Sequence, residues 1–162
     1  MIASIKNYLS LVKFSHTIFA MPFALIGFSL AISSYNITFP VKLFMLIIIC
    51  MVTARNAAMA FNRYIDKKFD AANPRTAIRE IPSGIIKPEN AIFFIILNVL
   101  LFISATWFIN PLCFYLSPIA LALILGYSLT KRFTALCHFV LGIGLALAPI
   151  GAYIAVTGKF EL

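Results

Sequence analysis

The chain has 162 residues, 62% of them hydrophobic and 11% charged, with a formal net charge of +8 and a mean hydropathy of +1.01. Soluble domains are about half apolar and about a quarter charged, so this composition excludes an ordinary water-soluble globule. The positive charge does not indicate nucleic-acid binding, because the basic residues form no single stripe: they sit at Lys6 and Lys13, between Arg63 and Lys87, and at Lys131-Arg132.

In chain order, residues 1–13 read as a short amphipathic lead-in at a membrane surface. The first candidate span covers about 14–35 and contains no Asp, Glu, Lys or Arg. It is too long for the apolar core of a signal peptide and lacks a clear small-residue cleavage site. A second span covers about 41–62, and from Leu43 onward it is broken only by Arg55. The polar segment 63–88 carries turn signals at Asn73-Pro74 and Pro82-Ser83-Gly84, with Pro88 at its end. Spans three and four, about 91–109 and 112–130, form a hairpin through Asn110-Pro111. Span five covers about 136–156; Gly142, Gly144, Pro149 and Gly151 predict a bent, closely packed helix. Each stretch approaches the roughly 20 residues that cross about 30 Å of hydrocarbon. The expected fold class is therefore all-α: one multi-pass transmembrane helix bundle, a single membrane domain over 1–162.

The basic clusters fall at alternate ends of the spans, and the turns at Ser33–Pro40 and Asn110-Pro111 carry no charge. This pattern places the N-terminus, the 63–88 loop and the Lys131-Arg132 turn in the cytoplasm. Cys50, Cys113 and Cys137 lie within or at the edge of apolar spans, with neither metal-site nor disulfide-framework spacing, and read as packing residues. His16 and His138 are isolated and read as hydrogen-bonded membrane residues rather than ligands. The aromatic residues, 16 Phe and 6 Tyr, could stabilise a carbocation, but most are expected to face lipid.

Acidic residues number only five, and two of them fall beside an amide at helical spacing. With Arg55 at zero on a helical wheel, Asn62 lies near about −20°, Asp66 near about +20° and Asp70 near about +60°. An ionisable residue inside a span costs at least ~2.5–3.5 kcal/mol unless it is partnered. Mg²⁺ prefers oxygen ligands and is usually held by one or two carboxylates plus substrate phosphates. Asn62, Asp66 and Asp70 therefore form a candidate Mg²⁺ site. Arg75 and Arg79 from the following loop, with Lys131 and Arg132 from the far turn, could surround a chelated diphosphate. The competing reading is a solvated interfacial helix end with i,i+4 charge pairs. The like-charged pairs Asp66/Asp70 and Arg63/Lys67 weigh against a purely structural pairing.

The run from Arg55 to Asp70 (RNAAMAFNRYIDKKFD), with Asn73-Pro74-Arg75-Thr76 and Arg79-Glu80-Ile81-Pro82-Ser83-Gly84, resembles the first aspartate-rich region of the UbiA-type intramembrane prenyltransferases. Phe14 to Ala24 resembles the family's early segment, and Tyr127 to Thr134 its YxxxK turn. The resemblance covers essentially the whole chain. It implies a helical bundle with a central cavity in a bacterial inner membrane, N-terminus cytoplasmic. It also implies transfer of a polyprenyl group from polyprenyl diphosphate to an aromatic acid in quinone biosynthesis. By motif, Asn62, Asp66 and Asp70 would hold Mg²⁺ and carry the catalytic role. Arg55, Arg75, Arg79, Tyr127 and Lys131 would bind diphosphate. Arg132 or Arg79 could meet the acceptor's carboxylate. The acceptor is open between 4-hydroxybenzoate, for ubiquinone, and a dihydroxynaphthoate, for menaquinone. The Asn62-Arg63 and Cys137-His138 pairs look slightly more like the naphthoate-using relatives.

The chain departs from the family pattern in one respect. Members have about nine spans and a second aspartate-rich motif, whereas this chain has five candidate spans and no second DxxxD. It is therefore expected to be the N-terminal part of such an enzyme, inactive alone, possibly completed by a C-terminal half from another chain. Two other readings remain. One is a non-catalytic half-bundle that binds prenyl lipid or another subunit. The other is a small transporter or channel.

Overall fold

A computed structural model describes residues 2–134 and 136–160, and the side chains among them except at 2–4, 14, 16 and 19. The reading of His16 therefore lies outside the described residues. Six helices follow in order: α1 Ile2–Leu11, α2 Phe14–Tyr35, α3 Val41–Ala72, α4 Pro88–Ile109, α5 Pro111–Thr130 and α6 Cys137–Thr157. No strand occurs among the described residues. Helices α3 to α6 are each long and apolar enough to cross a membrane. In α2, a helix of 22 residues, the described apolar stretch is Ala20–Tyr35, shorter than the other four.

The sequence places the end of the second span at 62, but α3 runs on to Ala72. Loss of hydropathy marks where the apolar part ends, not where the helix ends, because Arg, Lys and Glu are good helix formers. The helix stops where Pro74 disfavours helical backbone at Asn73, which sits extended at φ −106°, ψ 118°. The Asn73 side-chain oxygen then accepts the Arg75 backbone N–H at 3.0 Å, a local turn bond typical of asparagine. The non-helical loop is thus 73–87. Pro88 opens α4 at a position where no amide hydrogen is needed, with Glu89 in the first turn facing the positive end of the helix dipole.

The helices alternate in direction. α3 packs most extensively against α4, and α2 against α6, while α5 bridges α3, α4 and α6. At one end, Leu11, Ala60, Ile81, Ile86, Ala91 and Ile95 form one cluster. It buries the loop between α1, α3 and α4. The Ser10 hydroxyl donates to Glu80 and ties α1 to that loop. At the opposite end, Asn110 caps α5 by accepting the Cys113 N–H at 2.8 Å. Its amide nitrogen donates to the carbonyls of Ile154 and Ala155 at 3.1 and 3.3 Å, which joins the α4–α5 turn to the end of α6. The outward faces carry large apolar side chains such as Phe93, Trp107, Tyr115 and Phe139, as expected where the solvent is lipid.

Between α3 and α4, Asn56 donates to the Asn98 side-chain oxygen at 3.3 Å. Asn98 in turn donates to the Phe94 carbonyl at 2.8 Å. Such interhelical amide bonds contribute about 0.6 kcal/mol on average in membrane bundles, and up to about 1.7 kcal/mol. The Asn56 oxygen is already buried without a partner, so losing Asn98 strands the whole amide. Asn98→Ala is expected to lower the unfolding free energy by about 1 kcal/mol or more in a mixed-micelle denaturant titration. A change below about 0.3 kcal/mol would show that the amide pair does not join α3 to α4 energetically.

Candidate functional site

The bundle encloses a cavity of about 350 Å³, lined by all five helices from α2 to α6. Its walls are almost wholly apolar, with Met51, Phe102 and Leu123 among them. The polar exceptions include Arg55, Asn62 and Tyr127, which sit where α3 and α5 approach the basic end of the bundle. Arg55 is half-buried, and its Nε is buried with no hydrogen-bond partner. Such an orphaned donor favours an acceptor of opposite charge. Cys50 and Cys113 also line this cavity, and neither is in a disulfide.

Directly beyond Asn62, helix α3 meets the turn after α5. Lys131 Nζ donates to Asn62 Oδ1 at 2.7 Å and also to Asp66 Oδ2. Arg132 donates to the Ile65 carbonyl at 2.8 Å and lies 3.5 Å from the other Asp66 oxygen. The i,i+4 spacing of Asn62 and Asp66 puts both side chains on one face, and here both oxygens point at a single cationic nitrogen. One helical turn further, the side chain of Asp70 faces elsewhere. Its Oδ1 accepts from Arg79 at 2.6 Å, while its Oδ2 is buried without a partner. Thr76 closes the same corner by donating to the Asp70 carbonyl at 3.0 Å.

The helical stripe therefore resolves into two adjoining clusters. Asn62, Asp66, Lys131 and Arg132 form the first, at the mouth of the cavity. Asp70 and Arg79 form the second. Arg55 and Tyr127 lie inward along the cavity wall. Arg75 is exposed on the loop and makes no ion pair among the described residues. Sequence reasoning assigned no role to Arg63, Glu80 and Ser10. Arg63 is buried, within electrostatic reach of Arg79, Glu80, Asp70 and Asp66. The available signal was the scarcity of acids: an acidic residue inside a basic loop, as at Glu80, invites a partner.

The model of the UbiA prenyltransferase family matches residues 20–162. The chain belongs to this family. Among its relatives, a 4-hydroxybenzoate octaprenyltransferase of Tolumonas auensis is 37% identical over 108 residues, 67% of this chain and 38% of that protein. A protoheme IX farnesyltransferase of Cronobacter sakazakii is 31% identical over 160 residues, 97% of this chain and 53% of that protein. The apo structure of a UbiA homolog from Aeropyrum pernix K1 superposes with a TM-score of 0.82 at 31% identity, over 91% of this chain and 53% of that one. A digeranylgeranylglyceryl phosphate synthase structure shares the fold, with a TM-score of 0.83 at 21% identity, over 96% of this chain and 54% of that one. This UbiA-family chain thus spans about half the length, or less, of the relatives it matches.

Proposed function

We propose that this chain forms the diphosphate-gripping part of a membrane prenyltransferase. The enzyme would transfer a polyprenyl group from its diphosphate to an aromatic acid of quinone biosynthesis. The observation that carries this reading is the convergence of Asn62 Oδ1 and Asp66 Oδ2 on one cationic nitrogen at the mouth of an apolar cavity. Lys131 Nζ occupies the point where an amide and a carboxylate oxygen converge, and those oxygens are the donor types that a hard cation takes. Asn62 and Asp66 would hold Mg²⁺, with Asp70 on the next turn. When bound, Mg²⁺ would neutralise charge on the leaving diphosphate.

The chain's own residues would do the rest. The apolar walls would take the prenyl tail and keep water from the reacting carbon. Arg55, with its orphaned Nε, would donate to a diphosphate oxygen, and Tyr127 lines the same cavity. Cationic donors fixed around the leaving group stabilise the charge that builds as the carbon–oxygen bond breaks. The bonding pair departs with the diphosphate, a ring carbon of the acceptor attacks the allylic cation, and the ring loses a proton. The basic end would face the cytoplasm of a bacterial plasma membrane. Further spans, in the same polypeptide or in another chain, would complete the bundle.

The acceptor is read as 4-hydroxybenzoate or a dihydroxynaphthoate; the name of the Tolumonas relative supports the first. The test supplies the complete bundle, this chain together with the further spans, in lipid vesicles with a polyprenyl diphosphate, Mg²⁺ and, in separate reactions, each acid or protoheme IX. Mass spectrometry of the lipid extract identifies the product. A prenylated aromatic acid is expected. A prenylated haem product alone would replace the acceptor assignment, and no prenylated product with any acceptor would overturn the transferase reading.

A further inference from the structure

Every carboxylate of the proposed metal site is already capped by a side-chain cation of the same chain. Lys131 lies between Asn62 and Asp66, with Arg132 on the second Asp66 oxygen. Arg79 holds Asp70. Arg63 is buried beside them, and Glu80 is the one further acid in reach. Four cationic side chains thus face three carboxylates. A bare divalent cation approaching this cluster meets a net positive field and finds both Asp66 oxygens and one Asp70 oxygen already paired. An anion meets the opposite field.

We propose that Lys131 and Arg79 are internal counter-ions that keep the carboxylate site closed to a divalent cation until a diphosphate draws them away. This inference rests on the transferase reading given above and adds its binding order. In it, the two side chains exchange a carboxylate partner for phosphate oxygens. Both are long, flexible and partly exposed, at 25% and 32% of the side chain, so a rotation suffices. Asp66 and Asp70 stay in place because they project from a continuous helix. Cation and diphosphate then bind as a pair, the diphosphate freeing the carboxylates that the cation takes. The cap on Asp66 is an ion pair at a partly exposed position, so its strength is well short of a fully buried one. A tenfold effect on binding corresponds to only about 1.4 kcal/mol and lies within its range.

The experiment is equilibrium dialysis of Mn²⁺ against the full chain in lipid nanodiscs, with and without inorganic diphosphate. The wild type is expected to retain Mn²⁺ at least about tenfold more tightly when diphosphate is present. Lys131→Gln is expected to bind Mn²⁺ without diphosphate about tenfold more tightly than the wild type, and to gain less from adding it. Arg79→Gln is a second variant with the same expected direction, acting through Asp70. Circular dichroism and size-exclusion profiles verify that each variant is folded. Equal Mn²⁺ retention by the wild type with and without diphosphate overturns the counter-ion proposal. So does a Lys131→Gln protein that binds Mn²⁺ no better than the wild type. Asp66→Asn separates this failure from failure of the site itself. If that variant retains Mn²⁺ as the wild type does, the metal lies elsewhere, and both the site assignment and the counter-ion proposal fall.

Discussion

Asp66→Asn in the full-length protein is expected to reduce prenyl transfer by at least about a hundredfold, as loss of one preorganised electrostatic group at a developing charge commonly does. The substitution keeps the size, removes the charge and turns one of the two acceptor oxygens into an amide donor. Asp66 is the residue at which the site converges: it receives Lys131 and Arg132 and shares Lys131 with Asn62. Removing its charge leaves Lys131 with the Asn62 oxygen alone and takes a ligand from the proposed metal site. Asp70→Asn is expected to cost less, because Asp70 faces Arg79 one turn further along α3. The comparison is made with purified protein in vesicles, measuring kcat/KM for the polyprenyl diphosphate. Activity within about threefold of wild type for Asp66→Asn would remove the carboxylate from the proposed chemistry.

The second large effect is structural. Gly27→Ala is expected to destabilise the bundle by about 1–3 kcal/mol, and Gly27→Val by more. A Cβ at Gly27 would lie 2.0 Å from the Pro149 carbonyl oxygen and 2.7 Å from its carbonyl carbon and Cα. These are backbone atoms of α6, so no side chain can turn aside to make room. Small residues allow close helix approach in membranes, where association depends on packing rather than on hydrophobic exclusion. Pro149 has no amide hydrogen and its ring crowds the preceding turn; α2 meets that level of α6 with no side chain at all. Gly126→Ala and Gly142→Ala are the controls, since an added Cβ at either meets nothing within 4 Å. A denaturant titration in mixed micelles should show a lower midpoint for Gly27→Ala and unchanged or raised midpoints for the controls. Equal behaviour of all three would mean that α2 and α6 are not held at this distance.

The legible parts of the chain were those with a periodic or electrostatic signature. The alternation of charged ends with uncharged stretches gave the helical bundle. The spacing of Asn62, Asp66 and Asp70 gave a common stripe, which α3 does carry on one continuous helix. Long-range side-chain choices were not legible. Nothing in the spacing indicates that Asp70 turns to Arg79 while Asp66 takes Lys131, because each acid has several cations within reach and the loop path decides between them. Arg132 could be named as a basic residue near the site, but its engagement with Ile65 and Asp66 depends on how the turn after α5 meets α3. Arg63 entered the sequence reading only with Lys67, as a like-charged pair that weighs against a purely structural helix end. It is buried because the 73–87 loop folds back over it, which local pattern does not reveal. The helical wheel drawn from Arg55 to Asp70 fits the run of α3 to Ala72, beyond the apolar part that ends near 62, because hydropathy and helicity end at different residues.

The Asn110 side chain has a consequence for the timing of synthesis. It caps α5 with one atom and grips α6 with another, and its partners on α6 lie 44 and 45 residues later in the chain. At about 5–20 residues per second, the ribosome needs roughly two to nine seconds to make that stretch. Throughout that interval the α4–α5 hairpin is present with the Asn110 amide nitrogen lacking both of these acceptors. The hairpin is then a provisional structure, able to tilt or slide, and the arrival of α6 fixes it. The arrival of α6 therefore acts as a latch on the two helices that precede it.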